Sequence, residues 1–347
     1  MDIRFATDDE QKEWDKLILS NPDSGNIFQS LEFAEQKKLT GWTPRFVLAG
    51  KIVLTVLEKK VPTLGKLWYV PKGPGVGTVV QLGDMLPDLQ RFAAKHGVFA
   101  VKVEPELLKS DDALAAFREL GLVSVPPIQP NFSTVLIDLS PDLDDILAGL
   151  NQKGRHAIRR AERDGVTVKR VESDEKNCRV FYDLLADTAK AQGFSVRSFD
   201  YQLKFWRRFS DDGMGQLFFA YVDGKVVAGA YAMVFGHKST YKDGASVRER
   251  TAYGASHLLQ WEVITWAKEQ GSKVHDLCGA PPSESINDET HPHYGIGRFK
   301  TSFNKHVTDY VGAYDLVVRP APYKLWIKLG QRAVRKLWRR KHHEDWY

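Results

Sequence analysis

The chain has 347 residues, 43% of them hydrophobic and 27% charged, and carries a formal net charge of +5. That length allows two domains or one large one, and the balance is ordinary for a soluble globular protein. Two cysteines, Cys178 and Cys278, exclude a disulfide framework and point to a reducing setting.

The N-terminus, Met1-Asp2-Ile3-Arg4-Phe5, has no apolar core behind a basic start, so no signal peptide is expected. No apolar run approaches the roughly 18 to 20 residues needed to span a bilayer. The expectation is a cytoplasmic protein that could still touch a membrane. Positive charge gathers at Lys153 to Arg163 and again at Lys324 to His343. Such clusters attract phosphate, nucleic acid or acidic lipid, although solvated helix faces would look the same.

In chain order, Phe46 to Leu57 is an apolar run, a Gly50-Lys51 turn and a second apolar run, which predicts a β-hairpin. Leu89 to Lys95 reads as a helix stopped by Gly97, and Val98 to Val103 as a strand. Pro126-Pro127-Ile128-Gln129-Pro130 is loop-like. Ser140-Pro141-Asp142 opens a helix, with Ser140 as N-cap, Pro141 in the first turn and Leu143, Ile146, Leu147 and Leu150 on one face. Leu217 to Ala230 repeats the hairpin around Asp223-Gly224, Leu259 to Gln270 repeats the helix stopped by Gly271, and Lys273 to Cys278 repeats the strand. Hairpin, helix and strand thus occur twice in the same order. The fold class expected is α/β (α+β), with two duplicated domains, each a mixed sheet flanked by helices. The join falls near Ser140, giving domains 1–139 and 140–318 and a C-terminal basic helix 319–347.

Several groups could carry chemistry. Arg155, Arg159 and Arg163 recur every four residues, so on a helix they share a face whose guanidinium forks suit phosphates. Tyr241-Lys242-Asp243-Gly244-Ala245-Ser246 reads as the end of a strand and a glycine turn. Pro281 to Gly297 is a long polar segment of the kind that forms binding lips. Its His291-Pro292-His293 is poor spacing for a structural zinc site, so no metal is expected. Arg250-Thr251-Ala252-Tyr253-Gly254-Ala255 is the nearest approach to an acetyl-CoA loop, with its glycine one position too far along, and no P-loop or dinucleotide fingerprint occurs. From Tyr323 onward, Ile327, Val334, Leu337 and Trp338 share a face with Tyr323 while lysines and arginines cover the rest. Packing on the protein, contact with an anionic membrane and contact with tRNA all suit such a helix.

These residues resemble the Fem family (FemABX) of peptidoglycan-bridge aminoacyltransferases. The resemblance is carried by Phe28-Gln29-Ser30 with Lys37, by Lys153-x-Arg155-x-x-Ile158-Arg159-Arg160-Ala161-Glu162-x-x-Gly165-Val166-x-Val168, and by Asp243-Gly244-Ala245-Ser246. Gln260-Trp261-Glu262, Gly297-Arg298-Phe299-Lys300-x-x-Phe303 and Tyr310-x-Gly312-x-Tyr314-Asp315 complete it. It implies two acyl-CoA N-acyltransferase-like (GNAT-like) domains, no coiled-coil arm, and a last helix that returns to the first domain. It implies transfer of an amino acid from charged tRNA, as co-substrate and without a cofactor, to the stem-peptide lysine amine of a peptidoglycan precursor, either lipid II or UDP-MurNAc-pentapeptide. Lys300 matches the lysine given to the oxyanion or to the tRNA end. Lys37, Arg197 and Tyr201, with Tyr241, match precursor-binding positions, the Arg197–Tyr201 spacing placing both on one helical face. Lys153, Arg155, Arg159, Arg160 and Arg163 are the candidate tRNA contacts. Glu104 stands where the family usually has Asp and is a candidate base, beside substrate-assisted transfer. Phe99 stands where a tyrosine can occur. Two other readings stay open: tRNA-dependent transfer to a small-molecule or natural-product amine, and a non-enzymatic RNA- or membrane-binding protein.

Overall fold

The computed structural model describes residues 1–129, 132–193, 195–247, 253–342 and 346–347. The chain forms two compact units, Met1–Phe132 with Asp309–Tyr347, and Ser133–Thr308. The first unit begins with β1 (Ile3–Phe5), β2 (Thr43–Ala49), β3 (Ile52–Val61), β4 (Gly65–Val70), β5 (Val98–Val103) and β6 (Val123–Val125). The second holds β7 (Leu136–Asp138), β8 (Thr167–Val171), β9 (Gly215–Val222), β10 (Lys225–Phe235), β11 (Lys238–Ser246) and β12 (Val274–Asp276). The chain then returns to the first unit with β13 (Ala313–Val317).

The sheets run β1-β2-β3-β4-β5-β13-β6 and β7-β12-β11-β10-β9-β8. Both hairpins form where the sequence predicts them. In the second turn Asp223 and Gly224 both take positive φ, 48° and 75°, the geometry that matches the twist of the flanking strands. Each hairpin is followed by a third antiparallel strand, β4 in one unit, which sequence reading passed over, and β11 in the other, of which it read only the end. Each third strand lies parallel to the strand after the helix. Parallel neighbours require a crossover, and the helices Val79–Lys95 and Ala255–Glu269 supply it. The repeat is therefore a hairpin, a strand, a helix and a parallel strand, which makes both domains GNAT-like with mixed sheets.

Helix periodicity meets sheet alternation in the two cores. Leu82, Leu86 and Leu89 cluster with Val101 and Val103, and Leu259, Val263 and Trp266 with Phe218, Ala228 and Ala230. In the second unit Phe181 of the helix Glu175–Gln192 lies 4.9 Å from Trp206 of the helix Phe199–Asp211. A Cβ on Gly229 would stand 2.7 Å from the Phe181 ring, so this strand position requires glycine.

Four expectations are corrected. The units part after residues 132 and 308, not 139 and 318. The reason is pairing: Leu136 to Asp138 bond to β12, while Ala313 to Val317 bond to β5 and β6. The helix Leu143–Gly149 is capped by Asp142, whose carboxylate accepts the Asp145 N–H at 2.9 Å. Ser140 N–H is given to Asp138 instead, and Pro141 precedes the helix. Tyr241 to Ser246 are not a turn but lie within β11, with a bulge at Lys242 between the pairs Ala232–Tyr241 and Tyr231–Asp243. Pro130 of the loop-like stretch lies outside the described residues.

The fourth correction concerns the tail. It runs Pro320–Leu325, a π-helical turn Trp326–Gly330, and Gln331–His342. A π turn inserts a residue and rotates the remainder of the helix about its axis. Tyr323 and Trp326, one turn apart where the π turn starts, are buried against Leu67 and Phe99 of the first unit, and the rotation leaves Val334 and Trp338 packed at the edge. Ile327 and Leu337, expected on that face, are 48% and 64% exposed. Trp346, which sequence reading passed over, is buried in the same cluster. The Lys59 ammonium lies 4.6 Å from the rings of Trp42, Trp338 and Trp346, a desolvated cation–π arrangement. His343, the end of the basic run, lies outside the described residues.

Trp326→Ala should cost about 3–5 kcal/mol, the usual loss for a buried aromatic. Leu337→Ala should stay within about 0.5 kcal/mol. Denaturant unfolding of the two variants measures the difference, and equal losses would reject this packing.

Candidate active site

Lys300 ends the short helix Tyr294–Lys300, after the long polar segment. Close packing of that helix needs Gly297, since a Cβ there would meet Ile286 at 2.8 Å. The Lys300 side chain is 7% exposed. Its ammonium donates to the carbonyls of Cys278 and Gly279, the latter at 2.7 Å. Those carbonyls face it because the chain takes positive φ at Cys278 (54°) and Gly279 (26°) just beyond β12. Asp276 supports the turn, accepting the Cys278 N–H at 2.7 Å and the Thr134 hydroxyl. Burial pushes Lys300 down to about 8, against weaker opposing effects of Cys278 and Asp276. A cation fixed in position and stripped of water is well suited to stabilise developing negative charge.

Tyr241 joins Lys300, the ammonium standing 5.9 Å from its ring centroid. Burial raises the Tyr241 phenol well above its ordinary range, so it stays protonated. The ring folds back over Gly244, where a Cβ would collide with its hydroxyl at 1.6 Å. The Asp243-Gly244 pair is thus explained by packing within a strand. Beside it the bulged Lys242 donates to Asp243 at 3.0 Å, and Trp206 Nε1 donates to the other oxygen at 3.1 Å.

Arg197 and Tyr201 also meet, the guanidinium 5.1 Å from the ring. They do not do so as neighbours on a helix: Arg197 precedes the N-cap Ser198, and Tyr201 sits in the first turn. Tyr201 lies within electrostatic reach of Lys242. Lys242 is the charged residue that sequence reading left out of this group, and its only signal was adjacency to Tyr241.

The basic helix spans Gln152–Arg163, with Ala157, Ile158 and Ala161 buried. Backbone packs on backbone there, since a Cβ on Gly154 would lie 2.3 Å from Ser302 O and one on Gly254 would lie 2.1 Å from Ala157 O. Gly254 is thereby explained by this close approach; Arg250, Thr251 and Ala252 lie outside the described residues. The arginine row is not uniform. Arg155 turns inward to the carbonyls of Ala148 and Leu150. Arg160 pairs with Asp164 at 3.2 Å and lies 5.4 Å from the Tyr253 ring. Lys153, Arg159 and Arg163 face solvent. The Gln260-Trp261-Glu262 motif is structural: Gln260 Nε2 lies 2.8 Å from buried His275, and Glu262 pairs with Arg170.

In the first unit Lys37 is buried near the end of the helix Leu31–Lys38, 5.4 Å from the Phe33 ring. Glu104 comes directly after β5. Its carboxylate accepts the Tyr69 hydroxyl at 2.6 Å and the backbone N–H groups of Ile128 and Gln129. Burial pushes its pKa up while those donors hold it down. Tyr69, which sequence reading passed over, ties this carboxylate to β4. Phe99 packs 5.8 Å from Trp326, under the tail.

Known proteins share this architecture. Residues 120–225 and 220–329 match the FemAB family. The chain is 25% identical to a lipid II:glycine glycyltransferase of Staphylococcus aureus (strain MRSA252), over 90% of this chain and 93% of that one. Among solved structures, FemX superposes with a TM-score of 0.79 at 23% identity, covering 94% of this chain and 99% of its own. A tandem GNAT protein from the clavulanic acid biosynthesis pathway superposes at 0.50 and 14% identity, covering 92% and 99%. The duplicated sheets and a family match across more than half the chain agree: this protein belongs to the FemAB family and is an acyltransferase that forms peptide bonds.

Proposed function

We propose that the protein transfers an amino acid from charged tRNA to the lysine side-chain amine of a peptidoglycan stem peptide, building an interpeptide bridge. The observation that carries this reading is Lys300, a buried ammonium fixed on two carbonyls beside Tyr241. In the reaction the acceptor amine attacks the aminoacyl ester, the C–N bond forms and the ester C–O bond breaks. The amine proton ends on the departing ribose hydroxyl. The oxyanion formed on the way meets the Lys300 cation. An ester is already activated, so the reading needs no nucleotide cofactor.

Glu104 is engaged by three donors, which supports its holding the loop at Ile128 and Gln129 and favours substrate-assisted proton transfer over a Glu104 base. Arg197, Tyr201, Tyr241 and Lys242, and separately Lys37, would hold the precursor's phosphates and sugar. The exposed Lys153, Arg159 and Arg163 would take tRNA phosphates, with Arg155 shaping the helix beneath them. The S. aureus relative is named for lipid II, which supports a lipid-linked acceptor here. Among the described residues no helix is long and apolar enough to cross a membrane. The basic tail, with exposed Leu325, Leu329 and Leu337, suits contact with the cytoplasmic face of an anionic bilayer.

The test mixes protein, charged tRNA and lipid-linked or nucleotide-linked precursor and tracks the mass of the precursor. A gain of one residue mass is expected with at least one of alanyl-, seryl- or glycyl-tRNA; no gain with any of them, or transfer only to an unrelated amine, rejects the reading.

Lys300→Met should lower kcat/KM by about 10²–10³-fold, the loss typical of an oxyanion donor, while leaving the fold intact by circular dichroism. Because the acting form is the cation, while deprotonation of the acceptor amine affects wild type and variant alike, the ratio of wild-type to Lys300→Met activity should fall as pH rises through about 8. The unfolded lysine titrates at 10.5 and the folded one near 8, so between those values the unfolded chain holds more protons and stability rises with pH. That rise should be absent in Lys300→Met; if it persists, the buried ammonium is not its source.

A further inference from the structure

The first unit contains a cavity of about 710 Å³ beneath its C-terminal helix, lined by none of the candidate active-site residues. Its apolar lining comes from Val123, Val125 and Pro126 at β6 and from Trp326 and Ile327 of the tail. The charges divide by depth. On the inner side Lys102 and Asp315 are both buried, with Nζ 3.1 Å from Oδ1, and Tyr323 donates to the other Asp315 oxygen at 3.0 Å. These charges cancel, so the floor attracts no net charge. On the outer side Lys324 and Lys328 are exposed, and among the described lining residues Asp315 has the only acidic side chain. A ligand therefore meets positive charge at the mouth and apolar walls within. The same helical segment turns Leu325 and Leu329, 49% and 61% exposed, outward beside those lysines.

We propose that this cavity binds one hydrocarbon chain of an anionic amphiphile, with the anionic head between Lys324 and Lys328 and the chain lying on Trp326, Ile327 and Val125. Burying a hydrocarbon chain on apolar walls is favourable because it removes apolar surface from water, whereas an anion at the floor would meet Asp315 and gain no net counter-charge. The head must therefore stay outside. The shared ligand chemistry is one chain and one negative head, which a fatty-acid carboxylate and a lysophospholipid phosphate both satisfy.

Titration calorimetry on the full-length protein, below micelle-forming concentrations, tests this with oleate, lysophosphatidylglycerol and neutral dodecyl maltoside. At least one of the anions should bind one to one and at least tenfold more tightly than the maltoside; which one binds better identifies the head. Ile327→Trp, which fills the cavity, should weaken anion binding at least tenfold. The surface pair Lys324→Glu/Lys328→Glu, which leaves the core untouched, should do the same to the anions but not to the maltoside. No preference for either anion in the wild type overturns the proposal, as does an affinity unchanged in the lysine pair variant.

Discussion

Burying a lysine ammonium is expensive unless its donors are met, and the second unit is shaped around meeting those of Lys300. The carbonyls that receive it belong to Cys278 and Gly279, and they point inward because the backbone there takes positive φ. That turn is held by Asp276, which itself leans on Thr134 and Lys238. On the other side the helix carrying Lys300 comes close because Gly297 has no side chain. The buried cation thus rests on a chain of ordinary satisfactions: a carboxylate on an N–H, two carbonyls on an ammonium, a glycine where a Cβ would clash.

Close backbone approach recurs in this unit. Gly154 and Gly254 let the basic helix settle against its neighbours, which puts Ala157, Ile158 and Ala161 inside and leaves Lys153, Arg159 and Arg163 outside. Arg155 shows why spacing alone is an incomplete guide. It has the pitch of the arginine row, yet its guanidinium closes the end of the preceding helix. A side chain of that length reaches whichever acceptors are orphaned nearby, and the last turn of a helix always leaves some.

The first unit shows the same economy differently. Its last strand and its tail come from the far end of the chain, and both are held by groups that pair across long sequence separations. Asp315 on β13 meets Lys102 on β5 and Tyr323 in the tail, and Lys59 meets three tryptophans, two of them from the tail. A cavity survives between these elements because Tyr323 and Trp326 fasten the helix on one side while Lys324 and Lys328 remain at the open side.

Much of this was legible in the amino-acid sequence, because its signals are local. Gly50, Asp223-Gly224, Gly97 and Gly271 mark turns and helix ends through their own backbone freedom, so the duplicated order of hairpin, helix and strand could be read directly. A family resemblance, not the residues by themselves, nominated Lys300, Tyr241, Arg197 and Tyr201. What the sequence could not decide depended on partners distant along the chain. Whether Leu136 to Asp138 and Ala313 to Val317 join one sheet or the other is settled by strand pairing, so the unit boundaries moved. Tyr241 to Ser246 carry a glycine that reads as a turn, and only the neighbouring β10 makes them a strand with a bulge at Lys242. Trp326 rather than Ile327 faces inward because it packs against Leu67 and Phe99, and the π turn that starts there keeps Val334 and Trp338 on the same side. Sequence determined which elements exist and which residues are chemically able; tertiary structure decided which of those residues are buried, paired and aimed, because burial and pairing are properties of neighbours rather than of order.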